Sequence, residues 1–232
     1  MLILLPESRD PYFNIAAEEY LLKHFQEAIF MLWRSTPSVI TGKHQNALAE
    51  INYPYVKTRK IPVVRRISGG GTVYHDPGNV NFTFIQNGQE GSLIDFKRFT
   101  RPVLRLLQNM GVDARFEGKN DLRVKGLKIS GNAEHVYKKR VLHHGTLLYQ
   151  SNLTDLRTAL QTKRERYHDK AVQSIRSQVA NITDFMDDPP SIEEFISYLV
   201  KQIRKEHPGA SDYTLQPEDW ESITRLVKEK YS

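Results

Sequence analysis

Between Arg65 and Phe84 the chain reads R-R-I-S-G-G-G-T-V-Y-H-D-P-G-N-V-N-F-T-F. Three consecutive glycines are unsuited to the interior of a helix or strand, because glycine loses the most backbone freedom on folding. They belong where a chain turns sharply or approaches a ligand. Successive N–H groups in such a turn form a concavity for an anion. Arg65 and Arg66 beside it offer planar, charged donors that match phosphate or carboxylate. Pro62 to Ile67 reads as a strand entering the glycines, and Thr72 to His75 as extended chain leaving them. The stretch is not a P-loop, because G-x-x-x-x-G-K-[ST] is absent. It is not a dinucleotide fingerprint either, because a strand follows it rather than a helix. The residues point to a site for a small molecule bearing phosphate or carboxylate.

Strands and helices surround this turn. Met1 to Leu5 reads as a first strand. Asn14 is expected to cap a following helix, with Glu18 and Glu19 near its positive end and Ile15, Leu22 and Phe25 facing the core. Ala28–Arg34 and Ser38–Gly42 read as strands joined at Thr36-Pro37, and 45–60 as a helical and turn region broken at Pro54. Asp76-Pro-Gly-Asn79 signals a turn. Val80 to Ile85 alternates as a half-buried strand. Asp95 to Met110 carries a helical pattern, with Pro102 expected in its first turns and Gly111 ending it. Leu127 and Ile129 fall on one strand face, Lys128 and Ser130 on the other. Val141 to Tyr149 is another strand. A short helix is expected at 153–160, and further helices at 191–205 and 218–231. Lys163–Arg166 is a basic, exposed run. Asp187-Asp-Pro-Pro best marks a boundary between a strand-rich body and a helical end.

With 232 residues, 39% hydrophobic and 26% charged, the chain suits one sizeable globular domain. No apolar run reaches the length of a membrane span. The opening Met-Leu-Ile-Leu-Leu-Pro lacks the basic n-region of a signal peptide, so the expected location is cytoplasmic. The absence of cysteine excludes disulfides, thiolate metal sites and a thioester-forming nucleophile. A net charge of +6 favours acidic partners or is simply a solvated basic surface. His75, His143 and His144 do not match any metal-site spacing. Lys128 alone reads as an ordinary strand lysine, and Asn120-Asp121 after Gly118 as a turn.

The ordered set R-R-I-S-G-G-G-T-V-Y-H-D-P-G-N, K-N-D-L, L-K-I-S-G-N-A and H-H-G-T-L-L resembles the lipoate–protein ligase A family. D-P-Y-F-N-I-A-A-E-E-Y-L-L and K-A-V-Q-S-I-R-S-Q-V-A-N-I (170–182) extend the resemblance over essentially the whole chain. It implies an α/β (α+β) fold of mixed, largely antiparallel sheets flanked by helices, the biotin/lipoate protein ligase catalytic-domain type. It implies an ATP-dependent ligase that converts lipoate and Mg-ATP to lipoyl-AMP, then passes the lipoyl group to a lysine of an apo lipoyl domain. By resemblance, Arg66, Gly71, Thr72, Val73, Tyr74, Asn120, Asp121 and Lys128 hold the nucleotide. Arg65, Ser68, Gly70, His75, Lys128 and His144 line the lipoyl side. Lys128 is the catalytic candidate, touching both phosphate and acyl carbonyl. Cofactors would be ATP and Mg2+, with no magnesium ligand assigned. Partners would be lipoyl domains of 2-oxoacid dehydrogenase E2 subunits and the glycine cleavage H protein, with no nucleic acid and no membrane.

The missing cysteine disfavours the octanoyltransferase and amidotransferase relatives, which carry the acyl group as a thioester. Biotin protein ligases differ at the glycine loop. Residues 1–232 are expected to form a single catalytic domain, helical from about residue 188. The family's small C-terminal accessory domain is expected to be absent, truncated or supplied separately. Two alternatives remain open: a transferase using preformed lipoyl-AMP, and a non-enzymatic basic module for nucleotides or nucleic acid.

Overall fold

The structure is a computed structural model, and it describes all residues except 89–92, 163–166 and 168. The basic run 163–166 thus lies outside the described residues. The strands are β1 (Leu2–Leu4), β2 (Ile29–Trp33), β3 (Ser38–Thr41), β4 (Val63–Arg65), β5 (Val73–His75), β6 (Asn79–Asn87), β7 (Arg115–Glu117), β8 (Asp121–Val124), β9 (Leu127–Tyr137), β10 (Arg140–Leu148) and β11 (Ser211–Asp212). The helices are α1 (Pro11–His24), α2 (Ala47–Glu50), α3 (Tyr53–Thr58), α4 (Phe96–Asn109), α5 (Leu153–Ala159), α6 (Ile192–Glu206) and α7 (Pro217–Leu226), which runs on into a π turn at Val227–Tyr231. An eight-stranded mixed sheet has the order β11-β1-β2-β6-β10-β9-β8-β7, and a three-stranded sheet the order β4-β3-β5. All neighbours are antiparallel except β1 with β2 and β11, and β3 with β4. No helix among the described residues is long and apolar enough to cross a membrane.

The large sheet is covered on both faces. On one, Phe30, Phe82 and Phe84 meet Phe99 and Leu107 of α4 and Phe195 and Ile203 of α6. On the other, Met31 and Ile85 meet Leu21 and Leu22 of α1 and Ile223 of α7. The helices after Asp187 therefore pack into the two cores of the sheet. β6 is buried on both faces rather than half-buried. Its alternate polar residues Asn81 and Thr83 are buried too, at 2% and 0% exposure.

Several local expectations are corrected. The cap of α1 is Asp10, whose side chain accepts from Tyr12 N–H, because Pro11 opens the helix at its first position. Asn14 instead lies inside, donating to the carbonyls of Ser8 and Arg34. Glu18 and Glu19 sit mid-helix, both buried, with no carboxylate in the first turn. Pro54 opens α3 behind the Asn52 cap rather than breaking a helix. Pro102 falls in the second turn of α4, among the first turns as expected, where it has no N–H to give the preceding turn. The Thr36-Pro37 turn carries the chain from one sheet to the other, fixed by Thr36 N–H donating to the Arg9 carbonyl. Asp121 starts β8, and the turn ahead of it is Gly118 to Asn120.

Candidate active site

The glycine loop joins β4 to β5, the two strands that flank β3, so it must pass over the end of β3. Two glycines make that crossing possible. Gly70 adopts φ +86°, a left-handed conformation that glycine takes without strain. Gly42, just past β3, lies so close beneath the loop that a Cβ there would stand 2.1 Å from the Gly70 carbonyl oxygen.

Arg66 organises the loop from inside. Its guanidinium makes four hydrogen bonds: Nε to Ser68 Oγ at 2.9 Å, Nη1 to the Ile40 carbonyl, and Nη2 to the Gly69 and Gly71 carbonyls. Burial lowers its pKa to about 10, opposed by Glu18, so it stays charged at neutral pH. Expected to meet phosphate, it is in this structure bonded to the loop it shapes. Arg65 points outward and donates to the Gly42 and Gln45 carbonyls.

Beneath the loop runs a buried polar chain. Ser68 Oγ lies 2.6 Å from His144 Nε2, and His144 Nδ1 lies 2.8 Å from Glu18 Oε2. Glu18 Oε1 in turn accepts from Thr83 Oγ1. Helix α1, strand β6 and strand β10 are thereby tied to the glycine turn. Nearby, His143 bonds Glu134 at 2.9 Å among Phe82 and Phe99. Burial pushes Glu134 up to about 7 and His143 well down, both toward their neutral forms.

The segment 170–180 forms a strap over the loop. Lys128 N–H donates to the Gln178 carbonyl, and Ala180 N–H to the Lys128 carbonyl, so the strap runs beside β9. Its other end is held by Val172 N–H donating to the His44 carbonyl. Between them, Ser174 Oγ accepts from Thr72 N–H and Gln45 Nε2, both at 2.9 Å. Gln45 Oε1 accepts from Thr72 Oγ1 and Gly42 N–H.

Two cavities meet under the strap. One, of about 870 Å3, lies between β9, β10 and α5 and takes in Tyr74, Leu127, Ser130 and Leu148. The other, of about 670 Å3, runs from Gly118 and Asn120 inward to Trp33, His75 and Asn81. Thr72, Val73, Lys128, Gly131 and Thr146 line both. Lys128 Nζ bonds Asp121 Oδ1 at 2.8 Å, and Asp121 Oδ2 bonds Arg123. Gly131 leaves room for this lysine, since a Cβ there would meet its Nζ and Cε at 2.9 Å.

The residues expected at the site are thus largely together. Arg66, Gly70, Gly71, Thr72, Val73, His75, Asn120, Asp121, Lys128 and His144 line the smaller cavity. Ser68 lies behind His144, and Arg65 stands apart from both cavities. Strand alternation puts Val73 and His75 on the cavity side of β5, while Tyr74 also packs with Val39, Ile51 and Val56. Ile129 is in the core as expected, but Leu127, at the start of β9, lines the larger cavity. Sequence reasoning missed Glu18, Gln45, Asn81, Thr83 and Ser174. The polar alternation of Asn81 and Thr83 in an otherwise aromatic strand was the signal for two of them.

Known proteins resemble the chain in sequence and in fold. The lipoate-protein ligase LplJ of Bacillus subtilis is 44% identical over 226 residues, covering 96% of this chain and 68% of the relative. A crystal structure of lipoate-protein ligase A bound with ATP superposes with a TM-score of 0.83 at 28% identity, covering 99% of this chain and 94% of the other. A bi-partite lipoate protein ligase of Thermoplasma acidophilum, studied with its E2 lipoyl domain, also gives 0.83, at 29% identity over 99% and 92% of the two chains. Residues 10–204 match the family model of the lipoyl protein ligase A/B catalytic domain. The sheet order, the strapped glycine loop and Lys128 between two cavities are this chain's version of that fold, and the chain belongs to the lipoyl protein ligase A/B catalytic domain family.

Proposed function

We propose that the protein is an ATP-dependent lipoate–protein ligase whose two cavities divide the substrates at Lys128, the nucleotide entering the larger and the lipoyl chain the smaller. The position of Lys128 on the wall common to both is the observation that carries this reading. In the first step a carboxylate oxygen of lipoate attacks the α-phosphorus of ATP and pyrophosphate leaves. Negative charge concentrates between acyl carbonyl and phosphate, where a fixed ammonium contributes most. The Gly71 to Tyr74 backbone lies along the nucleotide, and Arg66 acts through the loop carbonyls it holds in place. In the second step a lysine amine of an apo lipoyl domain attacks the acyl carbonyl, loses a proton and displaces AMP. The adenylate is itself a good leaving group, so a chain without cysteine needs no covalent intermediate.

Magnesium enters with ATP. Among the described residues no group of three metal-ligating side chains forms a protein cage. Magnesium is commonly held by one or two carboxylates plus substrate phosphates; Asp121 would hold it by exchanging the Lys128 and Arg123 partners its two oxygens have in this structure. The acceptors are proposed to be lipoyl domains of E2 subunits and of the glycine cleavage H protein, for which the net charge of +6 is favourable if they are acidic. Residues 1–232 would act as one catalytic unit, a reading supported by the packing of α6 and α7 into the sheet cores. The test is mass spectrometry of an apo lipoyl domain after incubation with lipoate, Mg-ATP and the protein. One lipoyl adduct on one lysine is expected, and its absence overturns the reading. If the adduct forms only from synthetic lipoyl-AMP, the protein is a transferase instead.

A further inference from the structure

The inner end of the smaller cavity is an unusual mixture. Ile15, Trp33 and Ile40 supply apolar surface, with 2%, 3% and 1% exposure. Between them His75 is buried, 3% exposed, its ring 5.4 Å from that of Trp33 in an edge-on arrangement. Neither His75 nitrogen has a hydrogen-bond partner among the described residues. Asn81 completes the end wall. Its Oδ1 accepts from Asn79 Nδ2 at 2.9 Å, while its own Nδ2 is unpartnered. A cavity end meant for a plain hydrocarbon terminus would be cheaper to build from apolar residues alone, because each unpaired buried polar group costs stability.

We propose that His75 and Asn81 form a sulfur-recognition pair that selects an acyl chain ending in a dithiolane or dithiol over a saturated chain of similar length. This rests on the ligase reading above and assigns the specificity of its acyl pocket. Sulfur suits such a wall. It is polarisable enough to lie against Trp33, and it accepts weak hydrogen bonds from an imidazole or amide N–H. The neutral imidazole also keeps one nitrogen free to accept from a thiol S–H. A saturated chain fills the same volume but leaves the His75 and Asn81 donors unpaired. A site built around polar partners discriminates against the analogue that lacks them. Because sulfur is a weak partner, the discrimination is expected on the order of tenfold to a hundredfold.

The test uses the full chain. Binding of lipoate, dihydrolipoate and octanoate is measured by calorimetry without nucleotide, and pyrophosphate release is then followed with Mg-ATP. The wild-type protein should bind at least one of the sulfur-bearing acids about tenfold or more tightly than octanoate, and should show the same ordering in kcat/KM. H75L and N81L should each narrow that ratio, and H75Q, which keeps a donor and an acceptor, should preserve more of it. Equal affinity of the wild-type protein for all three acids overturns the proposal, whether or not the variants fold. So does an unchanged ratio in both leucine variants, which would make the pair merely structural. A sulfur preference in binding without any pyrophosphate release would support the pair and refute the ligase reading.

Discussion

Ser68 Oγ lies 2.6 Å from His144 Nε2, and that one contact joins the glycine loop to a histidine on β10 whose other nitrogen is held by Glu18 of α1. The hydroxyl also accepts from Arg66 Nε. S68A removes the group through which the arginine and the histidine meet, deep in the protein. Unfolding free energy should fall by about 1–3 kcal/mol, the range for leaving buried partners unsatisfied. The loop should loosen as well, raising KM for both ATP and lipoate. Denaturant titration with initial-rate kinetics checks both, and unchanged values in both would show that the network neither stabilises nor positions.

Lys128 should matter to chemistry far more than to folding. Its ammonium is partly exposed and paired with Asp121 across a cavity wall. K128A is expected to slow pyrophosphate release by a hundredfold or more, the scale of losing one preorganised electrostatic donor. Its thermal unfolding should shift little, because a partly exposed ion pair contributes only about 0–1 kcal/mol. A variant that kept full activity would remove Lys128 from the mechanism.

Gly42 tests the crossing of the loop over β3. The atom that an added Cβ would strike is the Gly70 carbonyl oxygen at 2.1 Å, part of the backbone, so no side chain can swing aside. G42A should therefore displace the loop, costing about 1–3 kcal/mol as overpacking does. Adenylate formation should be largely lost while far-UV circular dichroism stays close to wild type. Crystallography of the variant would locate the shift, and an unmoved, fully active loop would refute the argument.

Local chemistry made much of this legible. The strand–glycine–strand rhythm placed the loop, and the alternation along β9 put Lys128 on the strand face opposite the core residue Ile129. What stayed hidden depends on distance along the chain. Glu18 and His144 are separated by 126 residues, and Gln45 and Ser174 by 129. Neither pair has a local pattern to announce it. Glu18 looked like a helix-dipole residue because its helix seemed to begin at Asn14, four positions past the true cap. Ser174 was visible only as one polar residue in a basic stretch. Its role follows from the strap lying across Thr72, which no periodicity encodes.

The C-terminal turn should stabilise the helix that carries Glu18. Next to it, Glu19 accepts from Lys23 at 2.5 Å, from Lys230 at 2.6 Å and from the Tyr231 hydroxyl. Burial works to raise the Glu19 pKa, but these donors outweigh it and hold the carboxyl at about 2. Y231F should lower unfolding free energy by about 1–2 kcal/mol at pH 7 through the lost hydrogen bond to a charged acceptor. Chemical denaturation measures this, and a neutral result would mean that the turn merely rests on α1.

Acid sensitivity should begin well above the carboxylate range. An unfolded histidine takes up its proton near pH 6.5. In the fold His75 is held unprotonated to about pH 3, chiefly by burial and then by the positive charge of Arg66. Between those values the unfolded chain binds more protons than the folded one, so stability must fall as pH falls, by about 1.4 kcal/mol per pH unit for one such group. His143, lowered by burial in the same direction, adds to the slope, while Glu134 bonded to it, raised to about 7, opposes it above about pH 4.5. Glu19 acts later: its contribution is complete above about pH 4.5 and is lost as pH drops toward 2. Unfolding free energies of wild type and H75F, measured at intervals from pH 7.5 to 4, should diverge in slope by about one proton, with the variant the flatter. Parallel curves would mean that His75 takes up its proton in the folded protein as readily as in the unfolded chain.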